Sequence, residues 1–134
     1  MSTLKVATIQ DTSGNNSSTP AGIASGTAKA WVNFNARNTP SIRDSYNVSS
    51  ITDNATGACT INFANAMANT NYATMCSQGD GSTESSIPYL TYLSIGGYGA
   101  TVSITTSSVK VYSKLYDGSS SYDALYNFVA IFGD

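Results

Sequence analysis

The chain contains no histidine and few charged residues. Without histidine, Ser-His-Asp and Cys-His catalytic arrangements are excluded, and the most common transition-metal ligand is missing. The acidic residues include two pairs that are close in sequence, Asp80 with Glu84 and Asp117 with Asp123. Both pairs lie in predicted surface loops, with too few carboxylates to indicate a glycosidase or a calcium site. We therefore expect no enzymatic activity, no cofactor and no bound metal.

Basic clusters and long apolar segments are also missing. The six basic residues are scattered and the formal net charge is −2, whereas a protein that binds a phosphate backbone needs several clustered cations. No apolar run reaches the length of about 18 residues that a membrane span requires, and Met1–Lys5 lack the apolar core of a secretory signal. We expect neither nucleic-acid binding nor membrane insertion, and we expect synthesis and folding in a cytoplasm.

Cysteine is scarce too, with Cys59 and Cys76 as its two occurrences. Their separation matches neither a zinc site nor a redox motif. In a reducing compartment we expect both to be small, buried, apolar residues. A disulfide between them requires that their strands be neighbours, and the sequence leaves that question open.

Serine, threonine, asparagine and glycine dominate the composition instead of charged residues. Such a surface favours short strands and tight turns over helices. At 134 residues the chain has the length of one domain with one core.

Apolar and polar residues alternate in a series of short segments, and this period is typical of β-strands. Asp53–Gly57 is a cluster of turn residues, so Tyr46–Thr52 and Ala58–Phe63 are predicted to form an antiparallel hairpin. Short strands separated by Gly/Ser turns predict an all-β, antiparallel, jelly-roll-like β-sandwich. The predicted strands are Leu4–Ile9, Ala28–Phe34, Ile42–Val48, Ala58–Phe63, Tyr72–Cys76, Ile87–Leu93, Ala100–Ile104, Val109–Leu115 and Ala124–Phe132.

The N-terminal part of the chain has a different character. Asp11–Gly26 is rich in turn formers and has little to bury, which predicts an extended linker or an arm that becomes ordered only against another subunit. We therefore divide the chain into an N-terminal strand and flexible arm, residues 1–26, and a β-sandwich head domain, residues 27–134.

Two features indicate contact with a second subunit. Trp31 lies opposite the apolar row of its own strand, so either a subunit interface or a covering loop accounts for it. The last strand, Ala124–Phe132, is apolar at nearly every position, which predicts one face in the core and the other against a second subunit. Asp44 and Tyr46 are predicted to share the inward side of their strand. The candidate interface residues are Trp31, Leu125, Val129 and Ile131.

Three longer motifs resemble the head domain at the tips of bacteriophage tail fibres. They are W-V-N-F-N at Trp31–Asn35, I-R-D-S-Y-N-V-S-S-I-T-D at Ile42–Asp53 and F-x-x-A-M-x-x-x-N-Y at Phe63–Tyr72, in the family's order. The similarity covers roughly Ala28–Met75. It implies a homotrimeric virion protein that is joined to other virion proteins through its N-terminal arm and that binds the host cell surface.

Tyrosine is the most frequent aromatic residue, and Tyr98, Tyr116 and Tyr122 lie in or beside Gly/Ser loops. A tyrosine ring with neighbouring Ser and Gly residues binds varied partners. We therefore predict these three tyrosines and Asp117 as contacts to a host cell-surface glycan or protein. The alternative for each tyrosine is that it covers the end of a strand.

Two functions are consistent with these features. In the first, a trimeric tail-fibre head binds its receptor non-covalently through the loops Ser77–Ser86, Ser94–Gly99 and Asp117–Tyr122. In the second, a capsid decoration or cement protein with the same trimeric sandwich is fastened to the shell by its N-terminal arm. The three motifs favour the first, and the missing stalk favours the second. Either function locates the protein in the virion.

Overall fold

The computed structural model describes residues 2–79, 91–96, 101–115 and 120–133. In these ranges the chain forms one short helix, α1 (Pro20–Gly26), and eight strands. No helix among these residues has the length and hydropathy of a membrane span. The strands are β1 (Ala30–Asn35), β2 (Ser41–Tyr46), β3 (Val48–Ala55), β4 (Ala58–Phe63), β5 (Ala73–Gly79), β6 (Thr91–Ser94), β7 (Ser108–Leu115) and β8 (Tyr126–Phe132).

The strands form two antiparallel four-stranded sheets. The first sheet has the order β2-β1-β8-β5, and the second has the order β3-β4-β7-β6. β3 and β4 pair around the turn after Asp53, so the predicted hairpin is confirmed. β8 is central because it pairs with β1 on one side and with β5 on the other. The predicted all-β antiparallel sandwich is confirmed, while its jelly-roll connectivity stays a prediction.

The core lies between the inner faces of the two sheets. Alternate residues of β1, β7 and β8 are buried, as the period of two along a strand requires. Each large aliphatic or aromatic side chain buried in this way contributes roughly 1.5–3 kcal/mol to folding. The largest fully buried side chains are those of Phe34, Ile61, Val109, Val111, Asn127 and Ile131.

Apolar residues of the third motif belong to this core. Phe63, Met67 and Tyr72 are buried, and the rings of Phe63 and Tyr72 meet edge to face with centroids 5.9 Å apart. The Tyr72 hydroxyl donates a 2.9 Å hydrogen bond to the carbonyl of Thr105. These motif residues therefore close one end of the sandwich.

Asn47, in the second motif, turns the chain from the first sheet to the second. Its φ is 54°, a left-handed conformation that asparagine tolerates better than most residues. Its Nδ2 donates to the carbonyl of Lys29 at 3.0 Å, and its Oδ1 accepts from the N–H of Asn65 at 2.7 Å. Because of this turn, the predicted strand Ile42–Val48 is divided: β2 ends at Tyr46 and β3 begins at Val48.

The sandwich has two distinct ends. At the arm end, where β1 begins, Asn47 is hydrogen-bonded to Lys29 and Asn65. At the same end, Met67 is hydrogen-bonded to Thr106 and Tyr72 to Thr105. The far end, where β1 finishes, contains Ala36, Gly57, Ser113, Tyr122 and Ala124, which are also hydrogen-bonded to one another. The N-terminal segment therefore leaves the sandwich at the end opposite Tyr122.

Residues 2–27, called the arm below, are exposed along their whole length. The predicted strand Leu4–Ile9 is wrong, because within the described ranges no strand pairs with it and Ile9 forms only an isolated bridge to Ser18. The arm is also not extended throughout. Thr19 caps α1 by accepting a 3.0 Å hydrogen bond from the N–H of Gly22, and Pro20 begins the helix.

Other strand predictions have mixed outcomes. Residues 101–104, in the predicted strand Ala100–Ile104, form no strand, and Ile104 makes only an isolated bridge to Val109. Of the predicted strand Ile87–Leu93, residues 87–90 lie outside the described ranges. Cys59, on β4, and Cys76, on β5, are free thiols.

Candidate functional site

β8 is apolar on both of its faces, but the residues that face outward differ from those predicted. Val129 and Ile131 are 3% and 1% exposed, so their assignment to a subunit interface is wrong. The period of two turns these side chains into the core and turns Phe128 outward, where it is 42% exposed. Leu125 is half-buried and precedes the strand.

The outer face of the first sheet carries an apolar cleft of about 510 Å³. Ala130 pairs with Trp31 on one side and with Met75 on the other, so a small side chain lies between two large ones. Trp31 is 36% exposed and Met75 is 66% exposed. Phe128 and Phe132 complete the apolar lining. We call this feature, with its polar residues Asn33 and Asp44, the outer-face cleft.

Asn33 and Asp44 line the polar side of the outer-face cleft. Asn33 and Asp44 are direct partners in the β1–β2 pairing, and Asp44 is exposed. Its predicted inward position is wrong. Asp44 pairs with Asn33, which lies with Trp31 on the outer face of the first sheet, so Asp44 also faces outward. Within the described residues, the buried Oδ1 of Asn33 has no hydrogen-bond partner, and Asp44 accepts only from the N–H of Ser45. The cleft therefore combines an apolar lining with an exposed carboxylate.

A second set of contacts continues the outer face beyond the cleft. The rings of Tyr126 and Phe128 are nearly parallel, with an interplanar angle of 5° and centroids 6.5 Å apart. The guanidinium of Arg43 lies 4.4 Å from the centroid of the Tyr126 ring and donates to the carbonyl of Leu125 at 3.0 Å. Arg43 is therefore already engaged in contacts within its own chain.

The candidate receptor contacts are only partly visible. Tyr98, Tyr116 and Asp117 lie outside the described residues. Tyr122 lies at the far end, where its hydroxyl accepts a hydrogen bond from Arg37 and the Arg37 guanidinium is 5.8 Å from its ring centroid. Its half-buried ring is thus held in place by an arginine of the same chain.

Among the described carboxylates, that of Asp123 has a structural role. Asp123 accepts a hydrogen bond from the backbone of Gly57. Burial, with a smaller effect of Asp53 and Asp123, raises the pKa of Cys59 to about 12, and burial raises the pKa of Cys76 to about 11. Such thiols are poor nucleophiles near neutral pH. Among the described residues, no group of three or more His, Cys, Asp or Glu side chains could hold a metal ion.

A second groove, of about 420 Å³, lies at the arm end. It is lined by Lys29, Tyr46, Asn47 and the segment 64–68, and the Tyr46 side chain is largely exposed. Because Lys29 directly follows the arm, this groove is close to the point where the arm leaves the sandwich.

Of the residues that line the outer-face cleft, the sequence identified Trp31 as a candidate interface residue. It did not identify Met75, Phe128, Phe132 or Asn33. The alternation along β8 could have indicated part of this cleft, because it places Phe128 and Val129 on opposite faces of the sheet. Deciding which set faces outward requires the sheet partners, which periodicity alone does not identify. Comparison with protein-family models, curated proteins and solved structures finds no match to this chain.

Proposed function

We propose that the chain is a bacteriophage virion protein, a homotrimeric tail-fibre head that binds a host-surface receptor non-covalently. The observation that carries the proposal is the layout of the sandwich. The arm leaves one end, Tyr122 lies at the other end, and an apolar cleft is found on the outer face of one sheet. A fibre head needs these three surfaces for the particle, the receptor and the neighbouring subunits.

Self-association is supported by the outer-face cleft. Single exposed apolar residues are ordinary on a protein surface, but a cluster of Trp31, Met75 and Phe128 around one cleft is typical of an interaction site. Aromatic residues and methionine are enriched in the buried centres of interfaces. Trp31 is therefore retained as an interface residue, and Phe128 replaces Val129 and Ile131.

Receptor binding at the far end is supported by the structural roles of the motif residues. Asn47 stabilises the turn between the two sheets and the third motif contributes to the core, so the resemblance concerns the fold rather than the binding site. The loops at the far end are left to determine which receptor is bound, as loops on a rigid scaffold do in many binding proteins. The ligand is a cell-surface glycan or protein.

The exposed arm supports a second function, that of a capsid decoration protein. Leu4, Val6 and Ile9 are large apolar residues that remain exposed on the arm. A segment of this kind gains stability by packing on another protein. In this alternative the arm fastens a trimeric sandwich to the capsid shell.

The test combines association with cell binding. Sedimentation equilibrium measures the mass of the full chain, and fluorescently labelled protein is added to candidate bacterial hosts in competition with phage adsorption. We expect a trimer that binds saturably and blocks adsorption. Ser120→Arg at the far end is expected to reduce binding, whereas Ser17→Arg on the arm, also at an exposed serine, leaves binding unchanged. A folded trimer that binds no host would support the capsid function instead.

A further inference from the structure

The outer-face cleft has a chemistry that selects its occupant. Trp31, Met75 and Phe128 offer apolar surface, while the exposed carboxylate of Asp44 is an acceptor on the polar side of the cleft. The matching ligand is therefore a cationic donor flanked by aliphatic side chains.

The arm of this chain contains such a group. Lys5 is the one basic residue among residues 2–27, and it stands between Leu4 and Val6. Leu4 is 84% exposed and Val6 is 41% exposed, so neither has a place in the core of its own chain. The segment thus offers one cation with an aliphatic residue on each side.

Other basic residues are less suitable because they already have contacts on the sandwich. Arg37 contacts Tyr122 at the far end, and Arg43 contacts Tyr126 and Leu125. Lys110 lies on the second sheet, 5.3 Å from the ring centroid of Tyr112. Charge complementarity with Asp44 therefore favours Lys5 over these three residues.

We propose that the arm of one copy occupies the outer-face cleft of a second copy, with Lys5 at Asp44 and with Leu4 and Val6 on the apolar lining. The contact joins two copies, since in the single chain residues 2–27 are exposed throughout. If the Ile9–Ser18 bridge opens and α1 is kept, the arm can span roughly 60 Å from Lys29, which is enough to reach a neighbouring subunit. The inference rests on the proposed self-association and names the segment that covers the interface.

Charge reversal in the full chain tests the pairing. Lys5→Glu and Asp44→Lys each place like charges together, so each variant alone is expected to associate about fivefold to tenfold more weakly than the unmodified chain. The double variant Lys5→Glu/Asp44→Lys restores opposite charges and is expected to recover association. Lys114→Glu on β7 is the control for Lys5→Glu, because it changes the net charge equally at a distant position.

Mixing the single variants distinguishes exchange between copies from contact within one chain. The acidic arm of the Lys5→Glu variant matches the basic cleft of the Asp44→Lys variant, so an equimolar mixture is expected to associate more strongly than either variant alone. Circular dichroism establishes that each variant is folded.

The outcomes separate this inference from the proposed function. A trimeric chain that is indifferent to both reversals, or a double variant that fails to recover, overturns the arm contact and leaves the trimeric head intact. A mixture no stronger than its components also overturns exchange between copies. A monomeric unmodified chain overturns the proposed trimer and the arm contact together.

Discussion

The carboxylate of Asp123 closes the β3–β4 turn from a distant part of the chain, as its Oδ1 accepts a 2.6 Å hydrogen bond from the N–H of Gly57. Gly57 also accepts a 2.8 Å hydrogen bond from the N–H of Ser113 at its carbonyl oxygen. The tip of a local hairpin is thereby attached to β7 and to the segment that precedes β8. This junction organises the far end, where Tyr122 is also held.

Replacing Asp123 with alanine tests this junction. Asp123→Ala leaves the N–H of Gly57 without its acceptor in a partly buried position, so we expect a loss of about 1–3 kcal/mol in the free energy of unfolding. Urea denaturation measures the loss. Asp53→Ala is the control, because Asp53 is exposed on the same hairpin. Equal stability of the two variants would show that the hydrogen bond contributes nothing.

Gly57→Ala is expected to be more damaging. A Cβ at this position would collide with the carbonyl oxygen of Ser113 and would lie 2.7 Å from the backbone nitrogen of Tyr122, and φ is already 68°. We expect a loss of about 3 kcal/mol or more in thermal or urea denaturation. Gly26→Ala, where a Cβ meets no atom within 4 Å, is expected to leave the unfolding of the sandwich unchanged.

Asn47 combines a left-handed backbone with hydrogen bonds from its side chain, and two substitutions separate these effects. Asn47→Gly keeps the backbone but removes the bonds to Lys29 and Asn65, so we expect a loss of about 1–3 kcal/mol. Asn47→Ala is expected to cost about 1 kcal/mol more, because alanine resists the left-handed conformation. Asn38→Gly, at an exposed residue with φ of 59°, is expected to be nearly neutral. Chemical denaturation would contradict this account if all three variants unfolded alike.

Adjacent residues of β8 are expected to have opposite effects. Phe128→Ser removes an exposed ring from the outer-face cleft, so we expect weaker self-association and little change in monomer stability. Val129→Ala leaves a cavity in the core, so we expect a loss of roughly 1–3 kcal/mol in stability. Sedimentation equilibrium and urea denaturation of both variants give the two readouts. Loss of association in Val129→Ala alone would restore the original assignment of the interface.

The thiols of buried Cys59 and half-buried Cys76 predict a decrease in stability at high pH. The pKa of Cys59 is raised from 9.0 to about 12 in the folded chain, and that of Cys76 is raised to about 11, chiefly by burial. Between pH 9 and these values the unfolded chain loses thiol protons that the folded chain keeps, so stability is full below pH 9 and falls above it. Urea denaturation from about pH 7 to about pH 11 should show this decrease. Cys76→Ala is expected to make the decrease shallower, and an unchanged slope would contradict the assignment to Cys76.

The same two thiols also predict slow modification of the native chain. At about pH 8 Cys59 and Cys76 remain protonated, and the thiolate is the reactive form. Alkylation by iodoacetamide is expected to be much slower in the native chain than in urea. Equal rates would mean that the two strands open readily.

The sequence by itself determined the class of the fold and several of its local elements. Alternation along β1 and β7 places apolar residues on one face whatever the partner strand is, because successive side chains of a strand point to opposite sides. The turn residues Asp53–Gly57 link two apolar runs, so the β3–β4 hairpin could also be predicted locally. Trp31 was identified as lying opposite the apolar row for the same reason.

Only the tertiary structure decided which faces and segments became core. Val129 and Phe128 are both apolar, and only the pairing of β8 with β1 and β5 shows that Val129 faces inward. Leu4–Ile9 has the alternation of a strand, but among the described residues it forms only the bridge from Ile9 to Ser18, because a strand needs hydrogen-bonding partners that periodicity cannot supply. The outer-face cleft likewise depends on register, which brings Trp31, Ala130 and Met75 into one row from three separate parts of the chain. Periodicity is a local property of the chain, whereas register and pairing depend on contacts between distant segments.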